Sequence, residues 1–214
     1  MCMTITTLEK QDLVTKAFKD ALTYAEYRLL IEKHAASFTS TGHTQTEALS
    51  NYTVLNYRRM KRWDKTLRFT PEEQSLITKF DRPLNWLVIT ESWCGDAPPA
   101  VAVMQKIAEL QPAIQLKLVL RDENPQLMDA FLTKGSKSIP KLIIQDPLDN
   151  VVLTDWGSRS QAAQKLVDDF KEENDVVTAT FKETLQQWYN QDKGKSILKD
   201  LIEILRVLNL ETRK

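Results

Sequence analysis

Two short runs constrain this chain more than any other feature: Leu84 to Thr90 (LNWLVIT) and Leu116 to Leu120 (LKLVL) are mainly apolar, carry β-branched residues and flank a helical segment from about Pro98 to Leu110. A short, nearly continuous apolar run is the pattern of a strand covered on both faces, and strand, crossover helix, strand implies parallel pairing. A helix from Pro125 to Thr133 follows, then strands at Lys141 to Gln145 and Val151 to Thr154. The link Asp146-Pro147-Leu148-Asp149-Asn150 is turn-rich and short enough to pair these two as an antiparallel hairpin. Gly157-Ser158 reads as the opening of a helix to about Lys171. The fold class is therefore α/β, with a central sheet flanked by helices.

The flanks are helical by period. Val14, Phe18, Ala21, Ala25 and Leu29 recur at helical spacing and predict one helix from Glu9 to about His34. After a Ser- and Thr-rich loop, Leu49, Tyr52, Met60, Trp63 and Leu67 mark a second amphipathic helix, interrupted on its apolar face by Asn56. Thr70-Pro71-Glu72-Glu73 is a capping box with proline at the first helical position, and it predicts a helix to about Phe80. Two further stripes, Val177, Phe181, Leu185 and Trp188, then Ile197, Leu201, Leu205 and Leu208, predict C-terminal helices. The expected organisation is a helical N-terminal extension at 1–80, a core at 81–174 and C-terminal helices at 175–214 docked on it as one structural unit.

Lys and Arg number 29 and Asp and Glu number 29. That balance argues against disorder and against a nucleic-acid partner held mainly by charge. The run from Arg58 to Lys65, with Arg68, could attract an anion such as an acidic partner, but in a chain of zero net charge it reads as a solvated helix face. Cys2 and Cys94 are the only cysteines, which excludes a disulfide framework, and nothing spaces His34 or His43 as metal ligands, so no metal is expected. No leader and no apolar run of membrane-spanning length are visible, so a reducing cytoplasm is the expected location. Nucleotide-binding and common hydrolase motifs are absent. Trp86, Trp156 and Trp188 read as packing residues.

One constellation carries chemistry. The first apolar strand runs into Glu91-Ser92-Trp93-Cys94-Gly95-Asp96-Ala97-Pro98-Pro99, where a helix begins, so Cys94 sits at a helix N-terminus. Unpaired backbone N–H groups and the helix dipole stabilise a thiolate there, which predicts a depressed pKa. Asp96 opposes that by like-charge repulsion.

Trp93-Cys94-Gly95-Asp96-Ala97 resembles the W-C-G-P-C site of thioredoxins. The resemblance continues through Asp122-Glu123-Asn124-Pro125 and Ser138-Ile139-Pro140 to the hairpin and the following helix, covering about Arg82 to Lys171. It is nearest to a bacterial group with a single-cysteine W-C-G-D-A site and extra helices. It implies a thioredoxin-like fold, a cis peptide before Pro140, and a substrate groove formed by Trp93, Gly95, Asp96, Ala97, Ile139 and Pro140 around Cys94. Ala97 stands where thioredoxins have the resolving cysteine, Val88 where they have a buried Asp, and Leu118 where they have its accompanying Lys.

The resulting expectation is a monothiol thiol–disulfide oxidoreductase with Cys94 as nucleophile. It would act on a protein disulfide or small thiol and need no cofactor beyond a low-molecular-weight thiol as co-substrate, which resolves the mixed disulfide. Cys2 is a remote candidate for that resolving role. The competing expectation is a redox-inactive thioredoxin-fold module that binds a protein partner.

Overall fold

The structure is a computed structural model that describes residues 6–174 and 176–211; Cys2 and its candidate resolving role lie outside them. Helix α1 (Thr7–Asp20), strand β1 (Leu22–Thr23) and helices α2 (Tyr24–Ala36), α3 (Glu47–Thr66) and α4 (Pro71–Thr78) come first. Then follow β2 (Leu84–Thr90), α5 (Ala97–Leu110), β3 (Ile114–Leu120), α6 (Pro125–Ala130), β4 (Lys141–Gln145), β5 (Val152–Gly157) and α7 (Gln161–Glu173). Helices α8 (Ala179–Asp192) and α9 (Lys195–Glu211) close the described chain.

The sheet order is β1-β3-β2-β4-β5. Strand β2 is central, parallel to β3 and antiparallel to β4, and it is buried along nearly its whole length. Burial on both faces is why its sequence shows no alternation. Val88 and Leu118 are register partners and both are fully buried, so the two positions where thioredoxins carry an acid and a base are here adjacent apolar core.

Three local readings are corrected. The helix expected over Glu9 to His34 breaks at Ala21–Thr23, where Leu22 and Thr23 pair antiparallel with Leu118 and Lys117 as an edge strand. Thr23 and Glu26 then cap a new helix reciprocally, with the Thr23 N–H donating to Glu26 at 2.8 Å and the Glu26 N–H to the Thr23 hydroxyl at 3.3 Å. The break changes the helical phase: α2 buries Tyr27 and Ile31 and leaves Leu29 exposed. One strand of the sheet therefore comes from the N-terminal flank. Next, Gly157 ends β5 instead of opening a helix, and the Ser160 hydroxyl caps α7 by accepting from the Ala163 N–H at 3.3 Å. Last, α6 stops at Ala130, short of Thr133.

The flanks pack on the core. Helix α1 lies against α6 and the sheet, while α5 packs on β3 and carries α3, α4 and α9, the last reaching α7 as well. Ile197, Leu201, Leu205 and Leu208 of α9 are all buried, as the stripe predicts. In α8 the buried pair is Leu185 and Tyr189 rather than Leu185 and Trp188. No described helix is long and apolar enough to cross a membrane.

Gly157 is required by its geometry: its φ is +121° and a Cβ there would lie 2.3 Å from the Pro140 carbonyl oxygen. Gly157→Ala is expected to lower the unfolding free energy by more than about 2 kcal/mol in urea denaturation, and a loss under about 0.5 kcal/mol would show that the β4–β5 end relaxes freely.

Candidate functional site

Strand β2 delivers residues 91–96 to the start of α5, with Pro98 and Pro99 in the first turn, where a missing N–H costs nothing. Cys94 is 6% exposed, and its thiol donates to the Ile139 carbonyl at 3.3 Å. The Ile139–Pro140 peptide is cis. The backbone N–H groups of Asp96 and Ala97 favour a thiolate, as a helix start should, but burial and then the Asp96 carboxylate outweigh them, and the thiol is pushed up to about 12. The depressed pKa expected from the helix N-terminus is therefore overturned by desolvation.

Asp96 does not cap α5 with its side chain. Its carboxylate accepts from the Tyr189 hydroxyl at 3.0 Å and pairs with Arg159 at 2.6 Å. Burial pushes the Asp96 carboxyl upward, with Arg159 and Tyr189 pulling the other way. Tyr189, also raised by burial, stays protonated and remains a donor. The carboxylate beside the thiol is thus held in place by α8 and by the turn before α7.

The N-terminal flank holds the other side of the loop. Glu91 is fully buried; the Thr41 hydroxyl donates to one of its oxygens and the Asp122 N–H to the other at 2.9 Å. Ser92 exchanges hydrogen bonds with Thr41, and its hydroxyl lies 2.8 Å from that of Thr53. Asn56, 1% exposed, donates its two amide hydrogens to the Ser92 carbonyl at 2.9 Å and the Cys94 carbonyl at 3.0 Å. From α8, the Gln186 amide donates to the Gly95 carbonyl at 2.8 Å.

These elements frame a cleft of about 720 Å³. Trp93, Cys94, Gly95, Asp96 and Ile139 line it, whereas Ala97 and Pro140 are buried behind it. The Arg121 guanidinium sits 4.7 Å over the Trp93 ring. Sequence reasoning missed Arg159, Tyr189, Gln186, Glu91 and Thr41, all distant in the chain from their partners or without a motif. Asn56 had a visible signal, a polar residue on an apolar face. In the run Arg58 to Lys65 the solvated reading holds for most side chains, but Arg59 is half-buried and lines the cleft. Among the described residues no three His, Cys, Asp or Glu side chains are placed to hold a metal ion.

A family described as thioredoxin matches residues 42–171. The chain belongs to the thioredoxin family. The match starts well before β2, so it takes in α3 and α4 of this thioredoxin-family chain as well as the sheet. Two solved structures share the fold. One, a protein of unknown function from Pseudomonas aeruginosa, is 16% identical, with a TM-score of 0.60 over 91% of this chain and 97% of the other. The second, an HIV epitope-scaffold, is 16% identical, with a TM-score of 0.59 over 90% and 96%. No curated protein matches the chain.

Asn56→Leu leaves two buried carbonyls without donors and is expected to cost about 2–4 kcal/mol in urea denaturation; a loss below about 1 kcal/mol would show that water replaces the amide. The thiol makes stability depend on alkaline pH. Folding raises the Cys94 pKa from about 8.5 to about 12, so its contribution is complete below pH 8.5 and is lost as pH rises toward 12. At about pH 10 the wild type should have lost roughly 2 kcal/mol more than Cys94→Ala, relative to pH 7; parallel pH profiles would refute a raised pKa.

Proposed function

We propose that this chain is a thioredoxin-fold binding module: the cleft beside Trp93 and Ile139, walled by α3 and α8, recognises a segment of a protein partner, and Cys94 stays a neutral thiol. One observation carries this reading. A buried carboxylate, Asp96, is fixed beside Cys94 by Arg159 and Tyr189, and the thiol proton is engaged by the Ile139 carbonyl. A thiolate there would lose its hydration and face a like charge, so the neutral form wins. No second cysteine is present among the described residues to resolve a mixed disulfide. A cytoplasmic setting fits this reading, because an unpaired thiol persists in a reducing compartment.

A second reading is a monothiol oxidoreductase, favoured by the two backbone N–H groups directed at the Cys94 sulfur and by its place on the cleft wall. The thiolate would attack a disulfide and release one of its sulfurs as a thiolate. A low-molecular-weight thiol or a partner cysteine would then attack the mixed disulfide and free Cys94. No other cofactor is invoked in either reading.

Ultraviolet thiolate absorbance against pH, as wild type minus Cys94→Ser, separates the two readings. The binding module requires no Cys94 ionisation at or below about pH 8.5. A step well below that value, with mixed disulfides lost in Cys94→Ser and kept in Cys2→Ser, would establish the oxidoreductase instead.

A further inference from the structure

The chain is neutral overall, yet the cleft is not. Arg59, Arg121, Lys137, Arg159, Lys171 and Lys182 line it, against only Asp96 and Glu183. Three of these cations are neutralised internally, Arg121 by Asp122 at 2.8 Å, Lys137 by Asp129 at 2.7 Å and Arg159 by Asp96 at 2.6 Å. Arg59, Lys171 and Lys182 have no carboxylate within ion-pair distance among the described residues. A local excess of positive charge on a neutral protein marks the sign of what the cleft accepts.

Two of the uncompensated cations are held in position. The Arg59 guanidinium donates to the Asn56 side-chain oxygen at 3.2 Å, and it is half-buried, so part of its water is already gone. The Lys182 ammonium lies 5.7 Å over the Tyr52 ring. Between them the cleft is apolar, with Leu55 40% exposed and Phe181 and Leu185 on the facing helix. Tyr52 and Arg59 are two turns apart on one face of α3, about 10 Å along the axis. Three residues of polyproline II chain rise about 9 Å and bring every third side chain back to the same face, which matches that spacing.

We propose that the wall built by α3 and α8 binds an acidic peptide segment in the polyproline II conformation, with carboxylates three positions apart meeting Arg59 and Lys182 and apolar side chains between them on Leu55 and Phe181. The proposal rests on the binding-module reading and names the class of partner. It involves the added helices rather than the thiol.

The test is fluorescence anisotropy of the full chain with dye-labelled Ser-Glu-Leu-Leu-Glu-Ser, its Gln counterpart and its Lys counterpart. The Glu peptide should bind about tenfold more tightly than the Gln peptide at low salt, the sum expected of two partly exposed ion pairs, and the Lys peptide most weakly. The advantage should shrink as salt rises from about 50 to about 500 mM. Arg59→Gln with Lys182→Gln should bring the Glu peptide down to the level of the Gln peptide measured on the same variant. Arg59→Lys with Lys182→Arg should keep the preference, and thermal unfolding of both variants checks that they fold. Equal binding of the Glu and Gln peptides, or a preference that survives charge removal, overturns the acidic partner while leaving a peptide-binding module intact. If none of the peptides binds, the proposal also fails; if Cys94 then forms mixed disulfides at neutral pH, the binding-module reading fails with it.

Discussion

A polar segment that is buried must have its hydrogen bonds supplied from somewhere, and in this protein that segment is the stretch from Glu91 to Asp96 at the end of the central strand. Glu91, Ser92 and Asp96 are each less than a tenth exposed. Left unpaired, such groups cost on the order of 1–3 kcal/mol each, more when charged. The sheet cannot satisfy them, because β2 has already left it. Thr41, Thr53 and Asn56 come from the N-terminal flank, Arg159 from the turn before α7, and Gln186 and Tyr189 from α8. Together with the Asp122 N–H after β3, side chains from the two flanks and from the turn before α7 therefore make a buried, charged loop possible, and the docking of the flanks follows from that need as well as from their apolar stripes.

The same burial sets the chemistry. A helix start and a cysteine at its mouth make a nucleophile when the thiolate keeps some hydration or meets a cation. Here the helix contributes its N–H groups, but Asp96 brings a carboxylate to the same place and α8 covers it. Arg159, whose charge favours the thiolate, is paired with Asp96. The loss of a second thiol at Ala97 and of the acid and base at Val88 and Leu118 belongs to the same pattern: the interior that would move protons for a resolving thiol is plain hydrocarbon. What stays open to solvent is a cleft lined by cations and apolar side chains.

Much of this was legible from local pattern. The runs LNWLVIT and LKLVL, the hairpin link and the Thr70 capping box each express a short-range rule, and the elements form where those rules place them. The break at Ala21–Thr23 shows where such rules stop. The apolar period runs through it without a glycine or proline, and only the pairing of Leu22 with Leu118, ninety-six positions away in sequence, decides that the helix must restart in a new phase. Thr23 and Glu26 form a capping box, a signal that was present but outweighed by a continuous stripe. Asn56 was visible as an oddity on an apolar face, and its purpose was not, because its acceptors are carbonyls of another element.

By itself, the sequence determined the α/β class, the strand-to-helix position of Cys94, the absence of a second thiol in the motif and the turn that carries Pro140, all of which depend on residues close together in the chain. Tertiary structure alone decided whether that cysteine ionises. The dipole and backbone N–H groups are local and could be read from the motif; the desolvation and the fixed carboxylate that outweigh them are supplied by Tyr189 and Arg159, brought to Asp96 from far along the chain. The charge of the cleft was decided in the same way, since Arg59 and Lys182 line it together only once α3 and α8 have packed around the loop.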